Sequence, residues 1–268
     1  MQASSEWAPP VGTLGRILEE TRRRLPSIEG GQFRADQDAP RPSLRQALNR
    51  QTVAVIAELK RRSPSKGVLN NALNAGQSVL FERGGAAAIS VLTEPEFFGG
   101  TLDDLLAVRA VVKLPLLRKD FHIEASQLLE ARLAQASAVL LIVRALPPDD
   151  LPKLMSAAKK LDLETVVEVR TEYELERALD AGAEIIGVNG RDLETLEVDE
   201  RVPKRLIPLI PSHVIAIWES GIRNVDDVRR AADRGADAVL VGSALSKAAE
   251  AEELVRSLSD VPRQPRRG

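Results

Sequence analysis

The chain has 268 residues, no cysteine, and 37 Lys and Arg against 39 Asp and Glu. This length fits one α/β barrel domain, and the even charge argues against a general nucleic-acid binder. Without cysteine there are no disulfides or thiolate metal sites, which favours a reducing compartment. The start, MQASSEWAPP, has no apolar stretch of signal-peptide length, and the most apolar run, Ala138 to Val143, is too short to cross a bilayer. We therefore expect a cytoplasmic protein with no membrane or nucleic-acid partner.

The first fifth of the chain predicts a helical extension, residues 1–50, that covers part of the main domain. Leu14 to Leu25 has apolar residues at helical spacing with Arg and Glu between them. Ser43 to Asn49 predicts a second, short helix with Ser43 as its N-cap. The main domain is expected over residues 51–258. Residues 259–268 form a tail rich in Pro and Arg that we expect to be disordered.

From Val53 onward, short apolar runs alternate with helical stretches. The eight runs are VAVIAEL, AAAISVL, LPLLRKD, SAVLLIV, ETVVEVR, EIIGVN, HVIAIWES and DAVLVGS. The segments between them have apolar residues at helical spacing, and two of these segments end at Gly182 and Gly235, a common helix stop. Eight strand–helix pairs predict an α/β fold with a closed parallel sheet, the (β/α)8 TIM barrel.

Polar side chains stand at the carboxyl ends of the predicted strands, where barrel enzymes carry out catalysis. Glu58 and Lys60 lie two residues apart, so both point into the barrel if Leu59 faces outward. The third run ends at Lys119, and the fifth has Glu168 between two valines. Further candidates at strand ends are Asn189, Arg191, Glu219 and Ser220.

Taken alone, each of these residues is better explained as a solvated loop residue or as half of a structural ion pair. Glu168 is harder to explain in this way, because a carboxylate in a buried strand is costly unless it is paired. Two lysines and three glutamates that converge from four strands can satisfy one another and are candidates for shifted pKa values. Together they predict a catalytic site.

A phosphate site is predicted beside this set. Barrels commonly bind phosphate between the seventh and eighth loops, through glycine N–H groups and the N-terminus of a short helix. Gly-Ser or Ser-Gly pairs follow both of these strands, and the first loop reads KRRSPSKG. The candidate phosphate ligands are Ser63, Gly221, Gly242 and Ser243. Phe98, in the segment FFGG, is a candidate for stacking on an aromatic substrate.

Three further side chains, two histidines and a tryptophan, are assigned no role in the site. His122 and His213 have no metal-ligand spacing with carboxylates, so no metal site is predicted. We expect His122 to be neutral and at the surface. Trp218 should point outward into the helix layer, because it alternates with Glu219 along the strand.

In this order, the motifs resemble the indole-3-glycerol phosphate synthase family. The similarity runs from Ser43 to Lys247 and includes IAELK with SPSKG, ISVLTE with FFGG, LRKDF, GVN with RDL, and ESGI. An ordered series over all eight strands is far more specific than any single motif.

The resemblance implies ring closure of 1-(2-carboxyphenylamino)-1-deoxyribulose 5-phosphate to indole-3-glycerol phosphate, with loss of carbon dioxide and water. It implies no metal or organic cofactor. Lys119 resembles the family's general acid and Glu168 its general base. Lys60, held by Glu58, resembles the residue that binds the substrate carboxylate and assists proton transfer. The residues implied to orient the polar network are Asn189, Arg191, Glu219 and Ser220. Ser63, Gly221, Gly242 and Ser243 match the phosphate site, and Phe98 matches the contact with the anthranilate ring.

The sequence departs from the family pattern at several places that carry no assigned chemistry. The departures are Gly190, Trp218, Arg170, the segment QAS at 135–137 and the stretch 70–77. A specialised-pathway copy with an altered substrate range therefore stays open. Two other hypotheses also stay open: another phosphate-binding barrel enzyme, such as a sugar-phosphate isomerase, and a non-catalytic barrel that binds a phosphosugar or a partner protein. The isomerase hypothesis explains the Gly-Ser loops but not the lysines and glutamates at the mouth. The sequence does not predict the oligomeric state.

Overall fold

The computed structural model describes residues 7–25, 41–70 and 74–266, and its centre is a closed barrel of eight parallel strands. The strands follow one another around the barrel in chain order, and the last one pairs with the first. They are β1 (Ala54–Leu59), β2 (Ala88–Leu92), β3 (Leu116–Lys119), β4 (Ala138–Ile142), β5 (Glu164–Val169), β6 (Ile185–Asn189), β7 (Ile215–Glu219) and β8 (Ala238–Val241). Each predicted run forms one strand, which confirms the (β/α)8 fold.

Helices form the outer layer. They are α1 (Gly12–Arg24), α2 (Leu44–Leu48), α3 (Ala75–Arg83), α4 (Pro95–Phe98), α5 (Leu102–Val111), α6 (Ala125–Leu133), α7 (Asp150–Lys160), α8 (Glu172–Asp180), α9 (Arg201–Leu206), α10 (Val225–Asp233), α11 (Ser243–Lys247) and α12 (Ala251–Ser259). Several of them begin at side chains that accept a hydrogen bond from a backbone N–H in the first turn, among them Thr101, Thr171 and Asn224. In the described ranges no helix is long and apolar enough to cross a bilayer.

The two helices before the barrel lie at opposite ends of it. α1 packs across the mouth, where Leu14 and Ile17 are buried with the inward-facing residues of the strands. α2 lies at the amino-terminal end, since Ser43 and the backbone N–H of Leu44 both donate hydrogen bonds to Glu164 at the start of β5. The Ser43 side chain also accepts a hydrogen bond from the N–H of Gln46, which confirms the predicted N-cap. The predicted extension, residues 1–50, reaches outside the described residues at 1–6 and 26–40.

Inward-facing side chains of the strands stack in layers, as in other barrels of this kind. The pairing register closes around the barrel with a shift of one residue per strand, so that alternate strands contribute to each level. One level, which we call the charged layer, comes from the odd-numbered strands and consists of Glu58, Lys119, Glu168 and Glu219. The next level towards the amino-terminal end, the lower layer, comes from the even-numbered strands and consists of Ser90, Leu140, Gly187 and Leu240.

The chain after α12 lies against the amino-terminal end of the barrel as far as Arg266, in contrast to the disorder expected from its composition. Val261 is buried, and its carbonyl accepts a hydrogen bond from the N–H of Val53. The side chain of Arg266 is 4% exposed and donates to Asp237 and to the carbonyl of Val214. A buried carboxylate that needs a cation is the physical reason for this order, and composition alone does not reveal it. Residues 267 and 268 lie outside the described ranges.

Candidate active site

The charged layer sits at the bottom of the barrel mouth and places one ammonium group between two carboxylates. Lys119 Nζ lies 3.2 Å from Glu219 Oε2 and 3.5 Å from Glu168 Oε2. Lys60 lies two residues after Glu58, just beyond the end of β1, and its Nζ is 3.4 Å from Glu58 Oε1. The three glutamates are buried, at 1–4% exposure. The structure therefore brings together the two lysines and three glutamates that the sequence predicts at the mouth.

Asn189 fixes the orientation of one of these carboxylates. Its Nδ2 donates to Glu168 Oε1 at 3.1 Å, and its Oδ1 accepts from Ser220 Oγ at 2.9 Å and from the N–H of Arg191 at 2.9 Å. Two acceptor contacts on Oδ1 leave the amide only one orientation. Ser220 has φ +67°, followed by Gly221 at φ +88°. A non-glycine residue held in the left-handed region is a feature found at functional sites.

The charges of the layer are unbalanced, and this shows in the pKa values. Burial alone lowers the pKa of Lys119, but the negative charges of Glu219, Glu168 and Glu58 outweigh burial and raise it. Burial and the nearby Glu168 raise the pKa of Glu219 to about 7, against the opposing effect of Lys119. Glu219 Oε1 is buried and has no hydrogen-bond partner in the described part of the chain. At neutral pH the layer thus holds a charged ammonium and a carboxylate that exchanges its proton easily, which suits acid–base chemistry.

The cavity above the charged layer is polar on one side and apolar on the other. Its apolar wall contains Phe98 and Phe121, whose ring centroids lie 6.1 Å apart, together with residues of β4 and of α1. Lys60 Nζ lies 5.5 Å from the centroid of Phe98. An aromatic ring carrying a carboxylate fits such a wall, because its face meets phenylalanine while its charge meets the ammonium. The sequence pointed to Phe98 but missed Phe121, which stands in the LRKDF motif directly after Lys119 and Asp120.

A second cavity of about 400 Å³ adjoins the first and contains three of the four candidate phosphate ligands. These three are Gly221, Gly242 and Ser243. Lys66 and Arg223 line the same cavity and were missed as candidates, although Lys66 belongs to the cationic first loop. Burial and then the positive charges around it, that of Lys247 first, lower the pKa of Lys66. A pocket where cations repel one another is suited to an anion such as phosphate.

Ser63 does not line this second cavity. It lies in the mouth cavity instead, is 4% exposed, and its Oγ has no hydrogen-bond partner in the described chain. The loop that carries it forms a short antiparallel pair between Arg62–Ser63 and Gly67–Val68. Two arginines hold the loop in place. Arg61 forms an ion pair with Asp104 of α5, and Arg191 donates a hydrogen bond to Ser65 Oγ at 3.3 Å.

His122 is buried rather than at the surface, which corrects the prediction. Its Nδ1 donates to the carbonyl of Leu140 at 2.8 Å, and burial, together with the positive charge of Arg118, lowers the pKa of His122 to about 4. The pairing of β3 with β4 stops at Arg118 and Val139, and the carbonyl of Leu140 just beyond it accepts the hydrogen bond from the His122 ring. The neutral state expected from the sequence agrees with this low pKa. In the described residues no group of three or more His, Asp or Glu side chains could hold a metal ion.

Three of the departures from the family pattern, Trp218, Arg170 and Gly190, place no side chain in the charged layer. Trp218 is buried in the outer hydrophobic cluster, as its alternation predicts, and donates to the carbonyl of Ser220. Arg170 pairs with Asp192 at 3.3 Å in a neighbouring cavity. A Cβ added at Gly190 would have its nearest neighbours at 3.4 Å or more, so this position does not require glycine for space.

The fold is shared with solved structures of low sequence identity. Thiamine phosphate pyrophosphorylase from Pyrococcus furiosus superposes with a TM-score of 0.60 at 17% identity, over 81% of this chain and 96% of that one. Tryptophan synthase subunit alpha from Legionella pneumophila gives a TM-score of 0.57 at 15% identity, over 81% and 96% of the two chains. At such identities the likeness concerns the barrel fold alone.

The sequence comparisons are closer. A family model described as indole-3-glycerol phosphate synthase matches residues 16–258. Indole-3-glycerol phosphate synthase from Nocardioides sp. is 49% identical over 85% of this chain and 87% of its own length. Indole-3-glycerol phosphate synthase 1 from Streptomyces coelicolor is 48% identical over 85% of each chain. The enzyme of that name from Kineococcus radiotolerans is 44% identical over 92% of this chain and 87% of its own. The chain therefore belongs to the indole-3-glycerol phosphate synthase family.

Proposed function

We propose that this chain is a carboxy-lyase that converts 1-(2-carboxyphenylamino)-1-deoxyribulose 5-phosphate to indole-3-glycerol phosphate, in tryptophan biosynthesis. The observation that carries the proposal is the position of Lys119 between Glu168 and Glu219 at the bottom of a cavity with an aromatic wall. The family membership supports the same reaction. The lack of cysteine supports a reducing location, and we place the reaction in the cytoplasm.

The substrate is expected to span both cavities. Its anthranilate ring lies against Phe98 and Phe121, with the carboxylate at Lys60, and its phosphate lies in the cation-rich cavity. This arrangement holds the aromatic ring and the ribulose carbonyl close together above the charged layer. Fixing two reacting groups of one molecule in this way removes much of the entropic cost of ring closure.

Ring closure begins when the aromatic carbon that bears the carboxylate attacks the ribulose carbonyl carbon. Lys119 donates a proton to the carbonyl oxygen as it becomes a hydroxyl, so that no free alkoxide forms. The new carbon–carbon bond leaves the ring cationic, and loss of carbon dioxide returns the electron pair that restores its aromaticity. Glu219 contributes by holding Lys119 in its charged form.

Dehydration completes the indole. The hydroxyl leaves as water after the ammonium of Lys60 gives it a proton. Glu168 then removes the proton whose loss forms the double bond of the five-membered ring. The contacts of Asn189 with Glu168 and Ser220 orient the base for this step. Glu58 keeps Lys60 in place on the substrate carboxylate.

Incubation of the purified chain with the anthranilate-derived ribulose phosphate tests the proposal, because the indole product is fluorescent. We expect turnover without added metal or cofactor. Binding of the substrate without product would favour the non-catalytic barrel. Faster turnover of a ring-substituted substrate than of the parent would favour the specialised-pathway copy. Isomerisation of a simple sugar phosphate, with no indole formed, would favour an isomerase.

A further inference from the structure

The carboxylate of Glu219 extends into a space that a glycine leaves open on the neighbouring strand. Gly187, in the lower layer on β6, carries no side chain into the barrel at this level. A Cβ built at Gly187 would lie 2.0 Å from Glu219 Oε1 and 3.1 Å from Glu219 Cδ. Heavy atoms do not approach so closely, so Oε1 occupies the position that any side chain at residue 187 would need.

The glycine is needed here for space and not for its backbone conformation. Gly187 lies within a regular strand and is not among the glycines with positive φ. Alanine can adopt this backbone without strain, and glycine inside a strand is on general grounds less favourable than alanine. Local stability therefore gives no reason for a glycine at this position, whereas the room required by a buried carboxylate does.

The same arrangement occurs once more in the barrel, at a less informative position. A Cβ at Gly242 would lie 2.3 Å from Glu58 Oε1. Gly242 also lines the second cavity, so a side chain there would disturb two features at once. Gly187 lines neither cavity at the mouth. Its side-chain space therefore concerns Glu219 alone among the groups proposed for the chemistry.

We propose that Gly187 is a positioning residue for the proposed reaction, because it gives Glu219 the room to contact Lys119. One oxygen of the Glu219 carboxylate fills the space at residue 187 while the other lies 3.2 Å from Lys119 Nζ. A methyl group at residue 187 displaces the carboxylate and breaks this contact. Lys119 then keeps only the more distant contact with Glu168, at 3.5 Å.

The displacement is expected to leave the barrel folded. The two closest atoms to the added methyl group belong to the flexible end of Glu219, and the next, Val166 Cγ1, lies at 3.4 Å. A flexible side chain can rotate away, whereas a strand cannot move without disturbing the packed barrel. Gly187→Ala should therefore change the position of one carboxylate and little else.

A double-mutant cycle tests this inference. Gly187→Ala, Glu219→Ala and the double variant are compared in single-turnover assays of indole formation, with thermal unfolding as a check on folding. We expect Gly187→Ala to lower the rate of the chemical step by about 100-fold, since a small misplacement of a catalytic group costs this much, with KM nearly unchanged. In the Glu219→Ala background the same change should alter the rate by less than about twofold, because the clash is gone.

The control is Gly190→Ala, just beyond the end of β6, where the added Cβ has no neighbour closer than 3.4 Å and where we expect wild-type rates. Wild-type turnover of Gly187→Ala, or an equal loss in both backgrounds, would overturn the inference. A crystal structure of Gly187→Ala gives an answer that does not depend on activity: the Glu219 carboxylate should leave Lys119, and its unchanged position refutes the role. This arm stays decisive even if the wild-type chain shows no indole formation, which would refute the proposed function instead.

Discussion

The two ends of the barrel both bury ionised groups, but they balance them differently. At the amino-terminal end, Asp237 has two arginine partners, Arg263 at 3.0 Å and Arg266, and also accepts the N–H of Ala216 at 2.7 Å. Arg266 in turn donates to several backbone carbonyls. A buried carboxylate that is fully paired in this way stabilises the fold without being reactive.

At the mouth, three buried glutamates share two lysines. Lys119 is shared between Glu168 and Glu219, and Oε1 of Glu219 has no partner in the described residues. An unsatisfied buried carboxylate costs stability, but it also raises the pKa towards neutrality, where proton transfer is most efficient. The presence of buried charges therefore does not distinguish the two ends. What differs is whether each carboxylate oxygen has a hydrogen-bond or ion-pair partner.

Lys119→Ala should produce the largest change in activity. It removes the proposed proton donor and leaves Glu168 and Glu219 without their shared cation, so kcat should fall about 1000-fold or more. Binding of a substrate analogue, measured by calorimetry, should persist, because the aromatic wall and the phosphate cavity are untouched. Lys153→Ala is the matched control, since the Lys153 side chain is 70% exposed and pairs with Asp150 on the surface. Turnover like that of the wild type in Lys119→Ala would remove this residue from the mechanism.

Arg266→Ala, at the other end of the barrel, should lower stability and leave activity unchanged. It leaves Asp237 buried with one arginine instead of two, so the free energy of unfolding should fall by about 3 kcal/mol, with kcat unchanged. Denaturant unfolding, followed by circular dichroism, measures the loss. Arg256→Ala provides the control, because its pair with Glu252 is at the surface and should contribute less than about 0.5 kcal/mol. Equal stability of the two variants would mean that the tail does not hold this end together.

The charged layer and Arg266 also show what the sequence can and cannot predict. The barrel and the residues of the charged layer follow from alternation, because the side-chain period of a strand decides which of Glu58 and Leu59 faces inward. The partner of Asp237 does not follow, since Arg266 lies in a segment whose composition predicts disorder and only the packed chain brings them together. His122 was wrongly predicted at the surface for a similar reason: its burial depends on where the pairing of β3 with β4 stops, and strand ends are the least predictable feature of a sequence.

The raised pKa of Glu219 predicts the pH dependence of the reaction. Its ionised form holds Lys119, so kcat/KM should rise with pH up to about 7, the pKa of Glu219, and then level off. Glu219→Gln should lower the rate and remove this limb. The folded-state pKa of Glu219 also lies above its ordinary value, so its contribution to stability is present in acid and is lost as the pH rises through 7. Glu219→Gln should therefore gain stability relative to the wild type above pH 7. If the rise of kcat/KM with pH persists unchanged in Glu219→Gln, the titrating group is not Glu219.

Phe98→Leu should give the smallest effect, because it changes only the wall of the mouth. Leucine keeps part of the apolar surface but loses the ring face that lies 5.5 Å from Lys60 Nζ and that we place against the substrate ring. An aromatic pair contributes about 0.5–1.5 kcal/mol beyond the apolar area it buries, so loss of the contact with the substrate ring should raise KM about twofold to tenfold with kcat nearly constant. Phe97→Leu tests the neighbouring ring, which does not line the cavity, and should leave KM unchanged. If both variants raise KM equally, the effect comes from α4 as a whole. An effect on KM alone that is confined to Phe98 would mean that this part of the aromatic wall contributes to binding of the substrate ring and not to the chemical step.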